Sequence, residues 1–525
     1  MLLALELPRL LISSTMLTAV GVVYLLVGVC LADKTLDLEN GVIVHMFEWP
    51  YSEIARECEE FLGPRGFAGV QLSPSTEHIV AEGQWWERYQ VVSYNLVSRS
   101  GDEEHLRNMI TRCNRAGVWV FADVVFNHMT ADRDNCRGFG GSLCYPRDKS
   151  YPGVPYSSKD FHDRYCNPID YKDAGQVREC ELDGLHDLNQ ALESVRKPIV
   201  ELLNKLIEFG VAGFRIDAAK HMHPDDLKII YERLNYLNTE HGFEEKTKPL
   251  IYQEVIDKDG QEGVHYEDYT PYGLVTDLRV GKELRSCFHK NEKGENNLLT
   301  YLKTFDTDWS LVPKEKSVVF IENHDTEREH NDKGELTNTL TYRHSRAYKM
   351  AVMFMLAIND YTPKILSSYK FDNFDQGPPT LPPSPSRENL CYNGWLCQHR
   401  WRQIYNGVEF HNVVRGTKRQ WWDNGKNQIA FCRGDQGFVA FNFEDYDMKQ
   451  TIQTCLPKGE YCDIISGSVT STGCSGNIIK VNERGEAEIK ISKFDPYNSA
   501  DDGVVAIHVK SVKGSGVEIE SGGGN

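Results

Sequence analysis

The sequence predicts an α/β fold: a (β/α)8, or TIM, barrel with a domain inserted after its third strand and a C-terminal antiparallel β-sandwich. Strand-like and helix-like stretches alternate over about 400 residues, which indicates βαβ units and a parallel sheet. Residues 129–188 interrupt this alternation, because they are rich in Gly, Pro, Asp and Cys and lack long helical patterns. From about Asn427 short alternating strands replace it, as in an antiparallel β module.

The individual elements follow from the spacing of apolar residues. Val42–Met46 and Phe67–Leu72 are predicted as strands, with Ser52–Leu62 as the helix between them. Asp102 suits the N-cap of the next helix, whose apolar residues line one face. Val195–Phe209 repeats this helical spacing beyond the inserted domain.

The N-terminus carries no charge from Leu10 to Ala32, and the small residue at its end suits a signal peptide cleaved after Ala32. A membrane anchor is the alternative, since the uncharged stretch is long enough to span a bilayer, and Met16 is a second possible start. The predicted divisions are a signal peptide (1–32), two barrel segments (33–128 and 189–416), the inserted domain B (129–188), the C-terminal sandwich (417–513) and a flexible tail (514–525).

Composition restricts the partners. A formal net charge of −18 disfavours nucleic acid and anionic membranes, because their phosphates would be repelled, whereas a neutral glucan would not be. Fourteen cysteines fit an oxidising compartment, and no CxxC pair points to zinc or redox chemistry. We therefore expect a secreted, extracellular protein, monomeric and without stable membrane association.

Four short apolar runs each end in a polar cluster. An uninterrupted apolar run such as Val118–Val125 is typical of a strand buried on both faces. Three of the four clusters place a carboxylate just beyond the strand, where a parallel barrel collects its catalytic groups: Asp217, Glu254 and Asp325. The four clusters are Asp123–His128, Gly213–His221, Ile251–Asp257 and Val319–Asp325.

Three carboxylates at strand ends suit glycoside hydrolysis, which needs a nucleophile and a general acid. Arg215 precedes Asp217 by two residues, so both side chains point the same way, and the cation favours an ionised nucleophile. Glu254 follows an apolar run, an environment that suits a proton donor. Each acid taken alone could be an ordinary loop residue. Together they predict one active site.

These segments resemble the animal, chloride-dependent type of α-amylase in glycoside hydrolase family 13, from about Gly41 to Val509. The resemblance implies retaining endo-hydrolysis of α-1,4 links in starch and glycogen. It assigns Asp217 as the nucleophile, Glu254 as the acid/base and Asp325 as the transition-state stabiliser. It also implies surrounding subsite residues: His128, Arg215, Lys220, His221 and His324.

The segment Trp85-Trp86-Glu87-Arg88-Tyr89 matches the sugar-stacking residues of that family. Exposed faces of Trp85, Trp86 and Tyr89 would stack on the apolar faces of glucose rings, which is how a neutral polymer can be held. The alternative is that both tryptophans belong to the core.

The resemblance also implies one structural calcium and one activating chloride. The calcium needs hard oxygen ligands. One of the implied ligands listed next, Asp187, could instead be a surface turn residue that binds no ion. The implied calcium ligands are the side chains of Asn127 and Asp187 and the main-chain oxygens of Arg178 and His221.

The implied chloride ligands are Arg215, Asn323 and Lys364, where arginine is commoner than lysine at the third position. A cation near Glu254 could pair with it and impair the acid, and a bound chloride would neutralise that cation. Lysine keeps the charge but loses the bidentate fork, so we expect chloride to bind, more weakly.

The cysteines give a further set of expectations. Val97 stands at one partner position of the family's usual second bridge, which is therefore missing. Cys136–Cys144 and Cys432–Cys455 are two further candidate pairs, and Cys287 is expected to be free. The family's glycine-rich loop is replaced by the charged segment Thr326–Thr337. The predicted disulfides are Cys58–Cys113, Cys166–Cys180, Cys391–Cys397 and Cys462–Cys474.

Two other functions remain open at this point. A non-catalytic relative, like the heavy chain of amino-acid transporters, would keep an N-terminal anchor and an eroded acid triad, which the intact Asp217, Glu254 and Asp325 argue against. A transglycosylase of the same family would make products longer than its substrate.

Overall fold

The computed structural model describes residues 34–38, 41–164, 166–257, 260–291, 293–305, 307, 309–329, 339–358, 361–385, 391–495 and 502–515. The proposed signal peptide, most of the tail and residues 330–337 of the charged segment lie outside these ranges. Within them, no helix is both long enough and apolar enough to cross a bilayer.

The core of the molecule is a closed barrel of eight parallel strands, which confirms the predicted fold class. The strands pair in chain order, and β8 closes the barrel against β1 with Lys364 opposite Ile43. The first residue of β4, Gly213, has to be glycine because a Cβ at this position would lie only 2.1 Å from the Leu250 carbonyl oxygen of β5. The strands are β1 (Ile43–Met46), β2 (Gly69–Gln71), β3 (Trp119–Val124), β4 (Gly213–Ile216), β5 (Leu250–Gln253), β6 (Leu274–Asp277), β7 (Ser317–Val319) and β8 (Thr362–Ser367).

Helices alternate with these strands. Asp102 caps α2 as predicted, since its carboxylate accepts from the His105 amide at 3.0 Å. A π-helical turn, Cys58–Leu62, extends α1. The α-helices are α1 (Tyr51–Glu57), α2 (Glu103–Arg115), α3 (Ala174–Glu179), α4 (Glu193–Glu208), α5 (Pro224–Glu232), α6 (Arg279–Phe288), α7 (Arg346–Ile358) and α8 (Arg402–Val413).

Short elements complete the part of the chain that contains the barrel. Two antiparallel strands, His128–Ala131 and Leu185–Asp187, pair at the base of the segment between β3 and β4. Strands Glu77–His78 and Val91–Ser93 form another pair, and Lys34–Thr35 lies parallel to Thr247–Lys248. The 3-10 helices are Trp85–Tyr89, Pro146–Asp148, Ser158–Asp160, Leu182–Gly184, Ala219–His221, Thr239–His241, Tyr266–Asp268, Leu299–Thr304, Lys314–Lys316, Tyr342–His344 and Gln398–Arg400.

The C-terminal part is all β and antiparallel, as predicted. Strands β9, β10, β11 and β16 form one sheet, and β12–β15 and β13–β14 form two further pairs. Helix α7 is buried on nearly all sides, and its Phe354 packs against Phe431 and Phe441 of the sheet. The strands are β9 (Arg419–Asp423), β10 (Gln428–Arg433), β11 (Gly437–Asn442), β12 (Met448–Gln453), β13 (Gly459–Cys462), β14 (Ile478–Val481), β15 (Glu486–Ile491) and β16 (Val504–His508).

The cysteine pattern forms six disulfides among the described residues. All four predicted pairs are present, and the two pairs that the sequence left open are formed as well. Those two are Cys136–Cys144 in the inserted segment and Cys432–Cys455 in the C-terminal sheet. Cys287 is a buried free thiol.

Candidate active site

One cavity of about 460 Å³ opens at the carboxyl ends of the barrel strands. Asp217 directly follows β4, Glu254 directly follows β5, and Asp325 lies in the loop after β7. The structure therefore brings the three predicted acids together, as expected for the ends of parallel strands. The lining consists of Trp85, Trp86, Tyr89, His128, Tyr171, Leu182, Asp183, Leu185, Asp217, Ala218, Lys220, His221, Glu254, Ile256, Glu262, His324 and Asp325.

The buried guanidinium of Arg215 organises the carboxylates. Its Nη1 lies 2.7 Å from Asp123 Oδ1 and 2.8 Å from Asp217 Oδ1, and its Nη2 lies 2.8 Å from Glu254 Oε1. Asp217 and Glu254 thus meet neighbouring nitrogens of one planar group. The shared contact with one guanidinium therefore holds the two carboxyl groups close together.

The single positive charge of Arg215 faces three carboxylates, those of Asp123, Asp217 and Glu254, and therefore cannot neutralise all of them. Burial raises the pKa of Asp217 well above its ordinary value; Arg215 opposes the shift, and the negative charges of Glu254 and Asp123 add to it. Burial, followed by the charge of Glu254, raises the pKa of Asp325 to about 7. Burial and the neighbouring negative charges thus favour the neutral forms of Asp217 and Asp325, against the opposing charge of Arg215.

Backbone strain helps to hold Glu254. Its Oε2 accepts a hydrogen bond of 2.8 Å from the amide of Ala218. Ala218 has a φ of +48°, a left-handed conformation that is uncommon for a residue with a Cβ. The turn after β4 thus directs an amide at the carboxyl group that follows β5. Strain of this kind concentrates at functional sites.

The aromatic wall differs in part from the prediction. Trp86 is partly exposed, but Trp85 is only 5% exposed, so an open indole face at Trp85 is wrong. Its indole packs edge-on against Phe374, with ring centroids 5.8 Å apart, and still lines the cavity. Tyr89 stacks on His324 with ring centroids 5.0 Å apart, and its hydroxyl donates to Asp123 at 3.1 Å.

Three further predicted subsite residues, His128, Lys220 and His221, line the cavity, whereas Arg215 is buried and is not among its lining residues. Lys220 forms an ion pair with Glu262 and donates to the Ile256 carbonyl. His221 Nδ1 lies 2.8 Å from the Val177 carbonyl of α3, and so connects the inserted segment to the turn after β4. His128 Nε2 lies 3.0 Å from the Tyr89 carbonyl.

Sequence reasoning missed two acids of the site. Asp123 begins the first polar cluster, but it lies inside β3 and gave no signal beyond its proximity to Asn127. Glu262 belongs to an irregular loop without periodicity, so nothing in the sequence indicated that it meets Lys220.

Comparison with known proteins identifies the chain. Models described as "Alpha amylase, catalytic domain" and "Alpha amylase, C-terminal all-beta domain" match residues 177–365 and 421–510. The chain is 46% identical over 504 residues to an alpha-amylase-related protein of Drosophila kikkawai, covering 92% of this chain and 98% of that protein. It belongs to the α-amylase family. The family resemblance read from the sequence is confirmed.

Solved structures agree with this family membership. Alpha-amylase I from Eisenia fetida is 40% identical, with a TM-score of 0.82 over 89% of this chain and 97% of that one. A variant of that enzyme in complex with maltohexaose is 39% identical, with a TM-score of 0.82 over 91% of this chain and 98% of that one.

Two of the predicted calcium ligands flank the strand pair 128–131 and 185–187: Asn127 directly precedes its first strand, and Asp187 ends its second. Asn127 and Asp187 are buried, and the Oδ1 atom of each lacks a hydrogen-bond partner. Asp187 is 1% exposed, so the surface-turn alternative is wrong. Burial raises the pKa of Asp187 to about 7, although His162 lies 2.6 Å from its Oδ2. Two orphaned buried oxygens fit a hard cation.

Of the predicted chloride ligands, Arg215 belongs to β4 and Lys364 to β8, and Asn323 lies in the loop after β7. Lys364 is buried, and its Nζ donates to Gln71 Oε1 at 3.0 Å. Burial, and then the charge of Arg215, lowers the pKa of Lys364 to about 7. Asn323 Oδ1 accepts from two amides of its own turn, which orients the side chain next to Asp325. The positive charges of Arg215 and Lys364 could together balance the negative charge of a bound chloride ion.

Proposed function

We propose that this chain is an α-amylase, which hydrolyses internal α-1,4 links of starch, glycogen and related glucans with retention of configuration. The observation that carries the proposal is the meeting of Asp217, Glu254 and Asp325 in one cavity beside an aromatic wall. The similarity to a structure that contains maltohexaose supports a glucan as substrate.

In the proposed mechanism Asp217 attacks the anomeric carbon while Glu254 gives its proton to the departing glycosidic oxygen. The resulting glycosyl–enzyme ester is hydrolysed by a water molecule that Glu254, now ionised, deprotonates. Asp325 holds the sugar in the distorted geometry of the transition state. Arg215 opposes the effect of burial on the pKa of Asp217 and so favours the charged form that attacks, and the Ala218 amide orients Glu254.

Starch hydrolysis by the purified protein tests this proposal. We expect iodine staining to fall faster than reducing ends accumulate, as in internal cleavage, and proton NMR to show α-anomeric products first. Absence of reducing ends would favour a non-catalytic relative. Products longer than the substrate would favour a transglycosylase.

We propose calcium as the cation of the buried oxygen site, held by Asn127, Asp187 and the main-chain oxygens of Arg178 and His221. The contact between His221 and the carbonyl of Val177, the residue before Arg178, brings the chain segments that carry the two main-chain oxygens against each other. Bound calcium would fix the inserted segment to the barrel and so shape one wall of the cavity.

Removing calcium should therefore destabilise the protein. A ligand that binds only the folded state at about 100 times its Kd stabilises by about 2.7 kcal/mol. We expect a chelator to lower the thermal midpoint of the native protein and to have little effect on Asp187→Asn. Asp163→Asn, an exposed acid of the same segment, should respond like the native protein. Equal native midpoints with and without calcium would rule the site out.

We propose that chloride binds near Arg215, Asn323 and Lys364 and activates the enzyme. Arg215 Nη2 contacts Glu254 at 2.8 Å, and an anion beside the guanidinium would compete with this ion pair. An anion bound there would release the Glu254 carboxyl group from its contact with Arg215.

Chloride activation should depend on the charge of Lys364. Because the folded-state pKa is lowered to about 7, the ammonium is present below that pH and is lost as the pH rises through it. We expect the activating chloride concentration to rise up to about tenfold per pH unit above 7. Lys364→Arg should remove this dependence, since arginine stays charged. Activation constants from pH 6 to 9 test this, and parallel profiles in the two proteins would contradict it.

We also propose that the protein is a secreted monomer, with its signal peptide cleaved after Ala32. Six disulfides support an oxidising compartment. Sequencing the N-terminus of the exported protein tests cleavage: Asp33 supports it, whereas Met1 or Met16 indicates a retained anchor.

A further inference from the structure

A cluster of metal-binding side chains lies outside the active-site cavity, in the segment between β5 and β6. One carboxylate oxygen of Asp257, one ring nitrogen of His265 and one carboxylate oxygen of Glu267 all lie within 4.8 Å of one another. The three residues line a separate cavity of about 670 Å³. An imidazole with two carboxylates is a set of ligands that zinc accepts in proteins.

The spacing of Asp257 and His265 is that of two ligands of one metal ion. Oδ2 of Asp257 lies 3.4 Å from Nδ1 of His265. A hydrogen bond from nitrogen to oxygen usually measures about 2.9 Å, and His105 and His162 approach their carboxylates to 2.6 Å. With bonds of about 2.1 Å to the metal, two ligands of a tetrahedral zinc ion are about 3.4 Å apart. The gap between Asp257 and His265 therefore has the width that a zinc ion needs.

Asp257 is oriented as a ligand before any metal binds. Its side chain is only 4% exposed, and its Oδ1 accepts from the Gly260 amide at 2.9 Å, so that Oδ2 faces His265. A hydrogen bond of this kind fixes the direction of a ligating carboxylate. Arg279 lines the same cavity, but its Nε and Nη2 bind the two oxygens of Asp277 at 2.9 and 3.2 Å. The charge of Asp257 is therefore not cancelled by a bound guanidinium.

The backbone that carries Glu267 is also held in place. Glu267 belongs to the 3-10 helix Tyr266–Asp268, and Asp268 at the end of this helix pairs with Arg178 at 2.8 Å. The buried Tyr269 hydroxyl then donates to two main-chain carbonyls in the segment after β4, at 3.1 and 2.9 Å. The Glu267 side chain itself is exposed. It can therefore turn towards the other two ligands without any movement of the helix.

We propose that Asp257, His265 and Glu267 bind a zinc ion, at a site distinct from that proposed for calcium. The imidazole favours a transition metal over calcium and magnesium, which prefer oxygen ligands, and a water molecule would complete the tetrahedron. The segment that the ion would tie together begins at Glu254 and includes Glu262, which pairs with Lys220 at the active-site cavity. The inference is independent of the proposed function.

Calorimetric titration with zinc acetate tests the site, on calcium-saturated protein without a histidine tag. We expect one zinc ion per chain. His265→Gln and Glu267→Gln should each weaken zinc binding by at least about tenfold, because loss of a group that merely orients a metal ligand already costs about 10- to 100-fold. His223→Gln replaces another exposed histidine next to an acid, Asp225 at 3.9 Å, and should leave the affinity unchanged. Thermal midpoints without zinc check that each variant is folded.

Hydrogen exchange locates the bound ion. A ligand suppresses the openings that break its site by a factor of one plus its concentration over its Kd, so zinc at about 100 times its Kd should slow exchange in residues 260–267 by up to about 100-fold. The same zinc concentration should protect these amides much less in His265→Gln.

The outcomes decide the inference without reference to catalysis. Absence of zinc binding, or equal affinity in the native protein, His265→Gln and Glu267→Gln, would overturn it. Protection by zinc elsewhere in the chain, with none in residues 260–267, would overturn it too. None of these measurements needs turnover, so a failure to hydrolyse starch would refute the proposed function and leave the zinc site standing.

Discussion

Replacing Glu254 by glutamine should reduce starch hydrolysis by about 10²- to 10⁴-fold in kcat, the range attributed to a positioned acid or base. Glutamine has nearly the same shape, and its amide oxygen can still accept from the Ala218 amide, so substrate binding should persist. It cannot give a proton to the leaving oxygen or later deprotonate water. Initial rates on soluble starch, with oligosaccharide affinity measured in parallel, check both statements.

A substrate that needs no acid separates the role of Glu254 from that of Asp217. An α-glycosyl fluoride has a leaving group that departs without protonation, so Glu254→Gln should lose much less of its glycosylation rate on this substrate than on starch. Asp217→Asn should be inactive on both, because the nucleophile is gone. Glu232→Gln, an exposed acid at the end of α5, is the matched control. Glu254→Gln with starch activity within about tenfold of native would disprove the assignment.

The sequence could reveal the three acids because their signal is local. Each follows an apolar run, and parallel strands of a barrel must present such ends at one mouth. The spacing of Arg215 and Asp217 indicated a shared face for the same reason. The common contact of Arg215 with both acids, by contrast, joins residues on adjacent strands and becomes visible only in three dimensions.

The features that the sequence could not give depend on long-range contacts. Two adjacent tryptophans look alike in sequence, yet Phe374, 289 residues from Trp85, covers one and leaves the other partly open. Strand β7 has only three residues, too few for a periodic pattern of apolar residues to reveal it in the sequence. Its extended conformation becomes evident from its pairing with the neighbouring strands of the barrel. Helix α7 is apolar on nearly all sides because the barrel and the C-terminal sheet both cover it.

The largest effect on stability is expected away from the active site, at a buried network that sequence reasoning did not detect. Glu57, at the end of α1, is 1% exposed. Its carboxylate accepts from Arg400 Nε at 2.6 Å and Nη2 at 2.8 Å, and His399 Nε2 lies 2.8 Å from it. His399 Nδ1 lies 2.8 Å from Ser367 Oγ, so the network ties α1 to the end of β8.

Glu57→Gln should cost about 3–5 kcal/mol of unfolding free energy, because it leaves the Arg400 charge buried without its partner. Burial alone would raise the pKa of Glu57, but His399 and Arg400 outweigh it and hold the pKa at about 2. The stabilisation is therefore present above the ordinary glutamate pKa and is lost as the pH falls towards 2. Urea unfolding of the native protein, Glu57→Gln and Glu53→Gln, in the same helix, between pH 3 and 7 tests this. Similar losses in the two variants would show that the ion pair contributes little.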